Sequence, residues 1–383
     1  MGESVKNFSK VVILNQSQVK NKLNVDTFNN QGYNIFAEEK KGRYLMATNI
    51  ALEFIRNMAK DNAPSMHYDG KSDISAWQKE AKAKLTELLK MPTERCADEF
   101  KITEEKKGDT YTQYKFEFQS EPGYIVKAAF LLPDELKGKA PVVICLQGHS
   151  TGMHISLGEP KYEKDVTSIA GGRDFAVRAA HEGICAVAIE QRYMGSSGSN
   201  EEGRPSCFTD NTAIAALLMG RTAVGERVWD IMRAIDVVCE HFSEYVDTDK
   251  IMCLGNSGGG TATFYASCMD ERIALSVPSC AICTYEDSIM AMHHCGCNFV
   301  PDIRKYFDMG DLGCLIAPRK LVAVCGIEDK IFPLHGVEKS FEIIKTAYEA
   351  YGKEELCTLI KGNGGHQFYP DDAWPVIHKY LNM

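Results

Sequence analysis

The chain has 383 residues, 44% of them hydrophobic and 25% charged, which suits one large α/β domain with an appendage or two ordinary domains. A formal net charge of −9 disfavours nucleic acid and anionic membranes as partners. No run approaches the roughly 18 apolar residues of a membrane span, and the 14 cysteines are scattered, several inside apolar runs, as buried thiols of a reducing compartment are. Met1 to Lys10 contains no apolar h-region and no small-residue cleavage site, so a cytoplasmic protein is expected.

Residues 1 to about 40 are rich in Asn, Gln and Lys and weakly periodic, and an irregular arm is expected there. From Arg43 to Lys60, the residues Tyr44, Ala47, Ile50, Ala51, Phe54, Ile55 and Met58 share one face of a helix. Asp73 can cap a second helix with Ala76, Trp77, Ala81, Leu85, Leu88 and Leu89 turned inward, and Pro92 follows its end. The expected organisation is a helical N-terminal extension, 1–92, packed on a main domain, 93–383.

Past residue 94 the period changes. Phe100–Glu104, Tyr111–Gln119 and Tyr124–Leu132 alternate as antiparallel strands do. Val142–Leu146, Ile184–Ile189, Ile251–Leu254, Ile273–Val277, Leu321–Cys325 and Leu356–Ile360 are continuous apolar runs, the pattern of parallel strands covered on both faces. Helical segments at 173–182, 222–242, 259–269, 335–351 and 371–381 separate them. An antiparallel start followed by alternating strand and helix predicts an α/β fold with a mostly parallel, doubly wound sheet.

Gly255-Asn256-Ser257-Gly258-Gly259 fits G-x-S-x-G, with a short apolar strand before it and a helix of small residues after it, the context of a nucleophile elbow. No Gly-Lys-Ser/Thr ending follows, which excludes a phosphate loop, and the glycines lie too far along the chain for a dinucleotide fingerprint. Catalytic groups in such sheets lie beyond the carboxyl ends of the strands. Asp329 follows Leu321–Cys325, with Glu328 as its competitor, and His366 follows Leu356–Ile360. The order Ser257, Asp329, His366 supplies a nucleophile, an orienting carboxylate and a base that titrates near neutrality. The oxyanion donors are expected to be the N–H of Gly258 and that of His149, with Ser150 as the alternative. The His149 imidazole is given no catalytic role.

His293-His294-Cys295-Gly296-Cys297 does not give four convergent zinc ligands, so no metal is expected. That segment reads as a loop shaping the pocket, with His293, His294 and also Asn256 as candidate pocket residues. The segment 193–221, with Gly, Ser, Asn, Arg and Pro early and the apolar stretch Ala213–Met219 late, is a candidate lid or an ordinary helix on the sheet. Arg221, Glu226 and Arg227 read as a structural ion-pair set, and Glu190 and Arg192 as ties between loops.

The residues 146–150, 190–197, 255–259, 316–321, 326–333 and 364–366, with Trp77-Gln78-Lys79, resemble the acetyl xylan esterase and dienelactone hydrolase-like group of α/β-hydrolases. The resemblance implies hydrolysis of a carboxylic ester through an acyl-enzyme, favouring small acyl groups such as acetate, without a cofactor, on a small-molecule or oligosaccharide ester. Peptidase, thioesterase, glucuronoyl esterase and a catalytically silent binding protein are the alternatives on this fold. A homo-oligomer is compatible with the resemblance, although no interface stripe locates one.

Overall fold

The computed structural model describes residues 14–15, 43–44, 50–198, 212–292 and 294–382. Nine strands form one sheet: β1 (Lys101–Lys107), β2 (Tyr111–Glu121), β3 (Tyr124–Pro133), β4 (Ala140–Leu146), β5 (Cys185–Ile189), β6 (Val246–Asn256), β7 (Ile273–Ser279), β8 (Lys320–Gly326) and β9 (Cys357–Gly362). Their order is β1-β2-β3-β5-β4-β6-β7-β8-β9. The first three strands pair antiparallel, β3 meets β5 antiparallel, and every pairing from β5 to β9 is parallel. The mixed, mostly parallel sheet expected from the two kinds of strand pattern is therefore present.

Both faces of the parallel part are covered, which accounts for its unbroken apolar runs. Val142, Ile144 and Leu146 of β4 point into one core and Val143 and Cys145 into the other. Leu321, Ala323 and Cys325 of β8 alternate with Val322 and Val324 in the same way. The first core takes the buried faces of α2 (Ile74–Leu89), α5 (Ala223–His241), α6 (Gly258–Met269) and α7 (Leu334–Tyr351). The second takes α3 (Phe175–His181) and α8 (Pro370–Leu381). Edge strand β1 is exposed along its length and carries Lys and Glu, which discourages pairing with another chain.

The N-terminal helices differ in how they dock. Helix α2 is capped by the Asp73 carboxylate, which accepts from the Ala76 N–H at 2.8 Å, and it buries Ala81, Leu85, Leu88 and Leu89. Its Gln78 side chain donates to the carbonyls of Cys314 and Ala317, both at 2.7 Å. Helix α1 spans Ile50–Asp61 and is shorter than the helix expected from Arg43. Arg43–Tyr44 instead pairs antiparallel with Leu14–Asn15. Phe54, Ile55 and Met58, of the apolar face read from the sequence, are 66%, 42% and 49% exposed, and Ile55 and Met58 line a cleft between the helix and the 285–305 loop. Helix α4 (Thr212–Leu218) occupies the later part of the candidate lid segment, whose residues 199–211 lie outside the described residues, and presents Leu218, 88% exposed, to solvent.

Candidate active site

Strand β6 ends at the elbow. Ser257 has φ 57° and ψ −123°, a conformation that ordinary residues avoid and that such turns impose. The turn survives because its neighbours carry no side chain. A Cβ on Gly259 would collide with the Leu146 carbonyl, and one on Gly148 would lie 2.7 Å from the Asn256 carbonyl and 3.0 Å from Ser257 Cβ. Strand, helix and the loop after β4 thus meet at one point.

Strand register then assembles the rest. Asn256 pairs with Ser279, and the Ser257 N–H donates to the Ser279 carbonyl at 2.8 Å. Gly326 of β8 pairs with Gly362 of β9, so the loops following them run side by side. The N–H groups of Ile327 and Glu328 donate to the carbonyls of Gly362 and Gly364 at 3.0 and 2.8 Å. Asp329 and His366 are brought together by that pairing. His366 Nδ1 lies 2.7 Å from Asp329 Oδ2, and His366 Nε2 lies 2.8 Å from Ser257 Oγ. Of the two adjacent acids, Asp329 is the one that meets the histidine, and its side chain is fully buried.

The Asp329 carboxylate is held ionised against its own burial. Burial alone would raise its pKa, but the His366 ring and the N–H groups of Ile331 and Phe332, at 2.8 and 3.1 Å from Oδ1, outweigh it and hold it below the usual carboxylate range. One oxygen is thus committed to the backbone and the other to the imidazole. A hydroxyl, an imidazole and an ionised carboxylate in this chain can move a proton off the hydroxyl and stabilise the resulting imidazolium.

Gly258 opens α6, and its N–H is among the first-turn donors that no intrahelical carbonyl takes up. The close pass of Gly148 against Ser257 brings the 147–150 loop, and with it the His149 backbone, alongside the elbow. The His149 ring stands directly over Gly258: a Cβ there would lie 2.6 Å from its Cε1 and 3.1 Å from Met194 Cε. His149 Nε2 lies 2.9 Å from Cys297 Sγ, and Arg227 Nη1 donates to the same sulfur at 3.3 Å. Arg227 also donates to the Arg192 carbonyl at 3.0 and 2.9 Å.

Behind this wall lies a buried ionic frame. Arg192 holds Asp230 through two bonds, at 2.7 and 2.8 Å, bonds Glu121, and stacks over Tyr124 at 3.8 Å. Arg221 bridges Glu121 and Glu226, each at 2.7 Å. Arg192 therefore ties loops together and Arg221 forms an ion pair with Glu226, as expected, while Arg227 bonds a carbonyl and a thiol. Glu190 sits apart from that frame, buried, accepting from the Met153 N–H at 3.1 Å and facing the Ser196 hydroxyl at 3.3 Å. Burial pushes its pKa up to about 7.

The candidate pocket residues separate. Asn256 is 1% exposed and accepts from the Ser279 hydroxyl at 2.9 Å, so its side chain braces β7. His294 is half-buried with its ring edge-on to Phe332, centroids 5.9 Å apart, and Phe332 stacks on His366. His293 lies outside the described residues. Met194, Arg227, Cys297 and Phe332 border the site without having been singled out as pocket residues. Only Phe332 carried a local signal, as the aromatic three residues after the acid.

A parallel sheet with an antiparallel lead, a strained serine at the end of β6 and an acid and histidine beyond β8 and β9 define an α/β-hydrolase. The chain belongs to the Abhydrolase family, whose family model matches residues 27–360. It is similar to the candidate hydrolase YtaP of Bacillus subtilis, 23% identical over 254 residues that cover 64% of this chain and 77% of that protein. Its fold is similar to that of a candidate acetyl xylan esterase from Bacteroides fragilis, with TM-score 0.67, 16% identity and 83% of each chain covered. It is also similar to a glucuronoyl esterase from Solibacter usitatus, with TM-score 0.62, 14% identity, and 84% of this chain and 97% of that one covered.

Proposed function

We propose that this protein is a serine carboxylic-ester hydrolase that removes small acyl groups, acetyl above all, from carbohydrate or other small esters. The observation that carries the reading is the continuous hydrogen-bonded chain from Ser257 through His366 to the buried Asp329, set on a strained elbow. In this mechanism His366 takes the Ser257 proton as Oγ attacks the ester carbonyl. The tetrahedral oxyanion is held by the N–H groups of Gly258 and His149. His366 then protonates the departing alcohol, and water, activated by the same ring, releases the acid and restores the serine.

The preference for a small acyl group rests on the crowding of Gly258 by the His149 ring and the Met194 thioether. The names of the fold neighbours, an acetyl xylan esterase and glucuronoyl esterases, support a carbohydrate ester as substrate. The test is a p-nitrophenyl ester series, acetate through octanoate, with wild type and Ser257→Ala, beside a glucuronate methyl ester. Turnover highest on acetate and absent from the variant is expected. Preference for the glucuronate ester or for octanoate would remove the small-acyl reading.

A further inference from the structure

Ser257 has a strained neighbour. Cys280, the first residue past β7, has φ 48°, in the left-handed region that favours glycine. Its N–H donates to the Val324 carbonyl of β8 at 2.8 Å, which fixes the turn. Strands β6 and β7 are adjacent in the sheet, so two non-glycine residues at positive φ stand side by side at its carboxyl edge. Such conformations persist where the surroundings over-determine them, and they aim a side chain.

The Cys280 thiol is aimed at the acid and the base. It donates to the carbonyl of Gln367, the residue after His366, at 3.2 Å, and it hydrogen-bonds the Asp329 carboxylate. Cys280 Sγ, a carboxylate oxygen of Asp329 and a ring nitrogen of His366 all lie within 4.8 Å of one another. Nε2 of that ring faces Ser257 and Nδ1 faces Asp329, so Nδ1 belongs to the cluster. Thiolate, carboxylate and imidazole are the ligand types of zinc. An ionised thiol and an ionised carboxylate beside a neutral imidazole carry two negative charges. They balance a divalent cation, which is the condition for holding one among buried side chains. Other buried strand cysteines, such as Cys145 and Cys253, point into the hydrophobic cores instead.

We propose that Cys280, Asp329 and His366 form an inhibitory site for a thiophilic divalent cation of the zinc class, which stops hydrolysis by taking Nδ1 of the catalytic histidine. The inference rests on the reading of Ser257, His366 and Asp329 as the ester-hydrolysis centre. On binding, the cation replaces the thiol proton, which leaves to solvent, and water takes the fourth position. Nδ1 gives its lone pair to the cation, and the neutral ring keeps its one proton on Nε2. His366 then donates to Ser257 Oγ and has no lone pair left to accept the serine proton. Two ligand atoms about 2.0–2.1 Å from zinc stand roughly 3.3 Å apart at a tetrahedral angle. The 2.7 Å contact between Nδ1 and Asp329 Oδ2 therefore opens slightly, and the His366 side chain, 22% exposed, is the one free to move.

The test uses the full chain. Zinc chloride should inhibit p-nitrophenyl acetate hydrolysis, EDTA should restore the rate, and magnesium chloride at the same concentration should have no effect. Cys280→Ser and Cys280→Ala, each measured against its own metal-free rate, should need about 10–100-fold more zinc for the same inhibition, at the least what loss of a metal-site partner costs. Binding is read separately in Ser257→Ala, which keeps all three ligands. Cadmium chloride should give a saturable thiolate-to-metal charge-transfer band there, and the band should be absent when Cys280→Ser is added to Ser257→Ala. That band needs no hydrolysis, so failure of the cation site and failure of the esterase reading give different results. The proposal is overturned by full activity in saturating zinc, by equal inhibition of wild type and the Cys280 variants, or by a cadmium band that is missing from Ser257→Ala or unaffected by Cys280→Ser.

Discussion

Phe332 fixes the acid and the base together. Its ring lies against His366, centroids 5.8 Å apart and planes 12° from parallel, while its own N–H donates to Asp329 Oδ1 at 3.1 Å. The backbone part of that role survives any substitution except proline, and the stacking part does not. Phe332→Leu is therefore expected to lower kcat by about tenfold with little change in KM, as the imidazole loses its flat wall. The cost in stability should be about 1–2 kcal/mol, since Phe332 is buried and the replacement is smaller. Steady-state kinetics on p-nitrophenyl acetate beside a urea melt check both, and unchanged kcat would remove the positioning role.

Replacing the acid isolates its effect on the histidine. Asp329→Asn keeps the shape but presents an NH2 or a neutral oxygen to His366 Nδ1, and kcat is expected to fall by about 10³–10⁴-fold. Its depressed folded pKa also means that Asp329 contributes stability above the usual carboxylate pKa and loses it as pH falls through the folded value. Thermal melts from pH 7 down to pH 2 should show a shallower acid limb in Asp329→Asn than in wild type.

Glu190 should act in the opposite direction. Its pKa is raised by burial from 4.5 to about 7, so the stability tied to its protonated form is complete below 4.5 and disappears as pH rises through about 7. The difference is about 3 kcal/mol across that window. Glu190→Gln should flatten the fall in melting temperature between pH 5 and pH 8 and melt above wild type at pH 8. A variant that keeps the wild-type slope would show that Glu190 is not its source.

Arg192 is the centre of a buried frame, and removing it strands Asp230, which is 1% exposed. Arg192→Ala is expected to destabilise the fold by about 3–5 kcal/mol, whereas Arg192→Met with Asp230→Leu should recover much of that. Urea denaturation of the three proteins decides it, and a single variant no worse than the double would contradict the ionic account.

The serine, acid and histidine were legible because each stands just past an apolar strand, and strand register alone brings the last two together through Gly326 and Gly362. Strand ends read in the same way, although β1 runs beyond its predicted limit because Glu105, Lys106 and Lys107 continue the pairing, and β6 because Val246, Gly255 and Asn256 find partners on its neighbours. The wall around the elbow was not legible. His149, Arg227 and Cys297 meet across 70 to 148 residues of chain, and no periodicity records such contacts. Helix α1 misled for a related reason: its apolar face is real, but what packs against such a face is a tertiary property, and here a cavity stands beside it.

The central claim is that Ser257 forms the acyl-enzyme, and fluorophosphonate labelling followed by intact-protein and peptide mass measurement tests it most directly. Wild type should take up one adduct, mapped to Ser257, and lose esterase activity in step with it, while Ser257→Ala takes up none. Labelling of Ser257→Ala, or ester hydrolysis that persists in fully labelled wild type, would contradict the account.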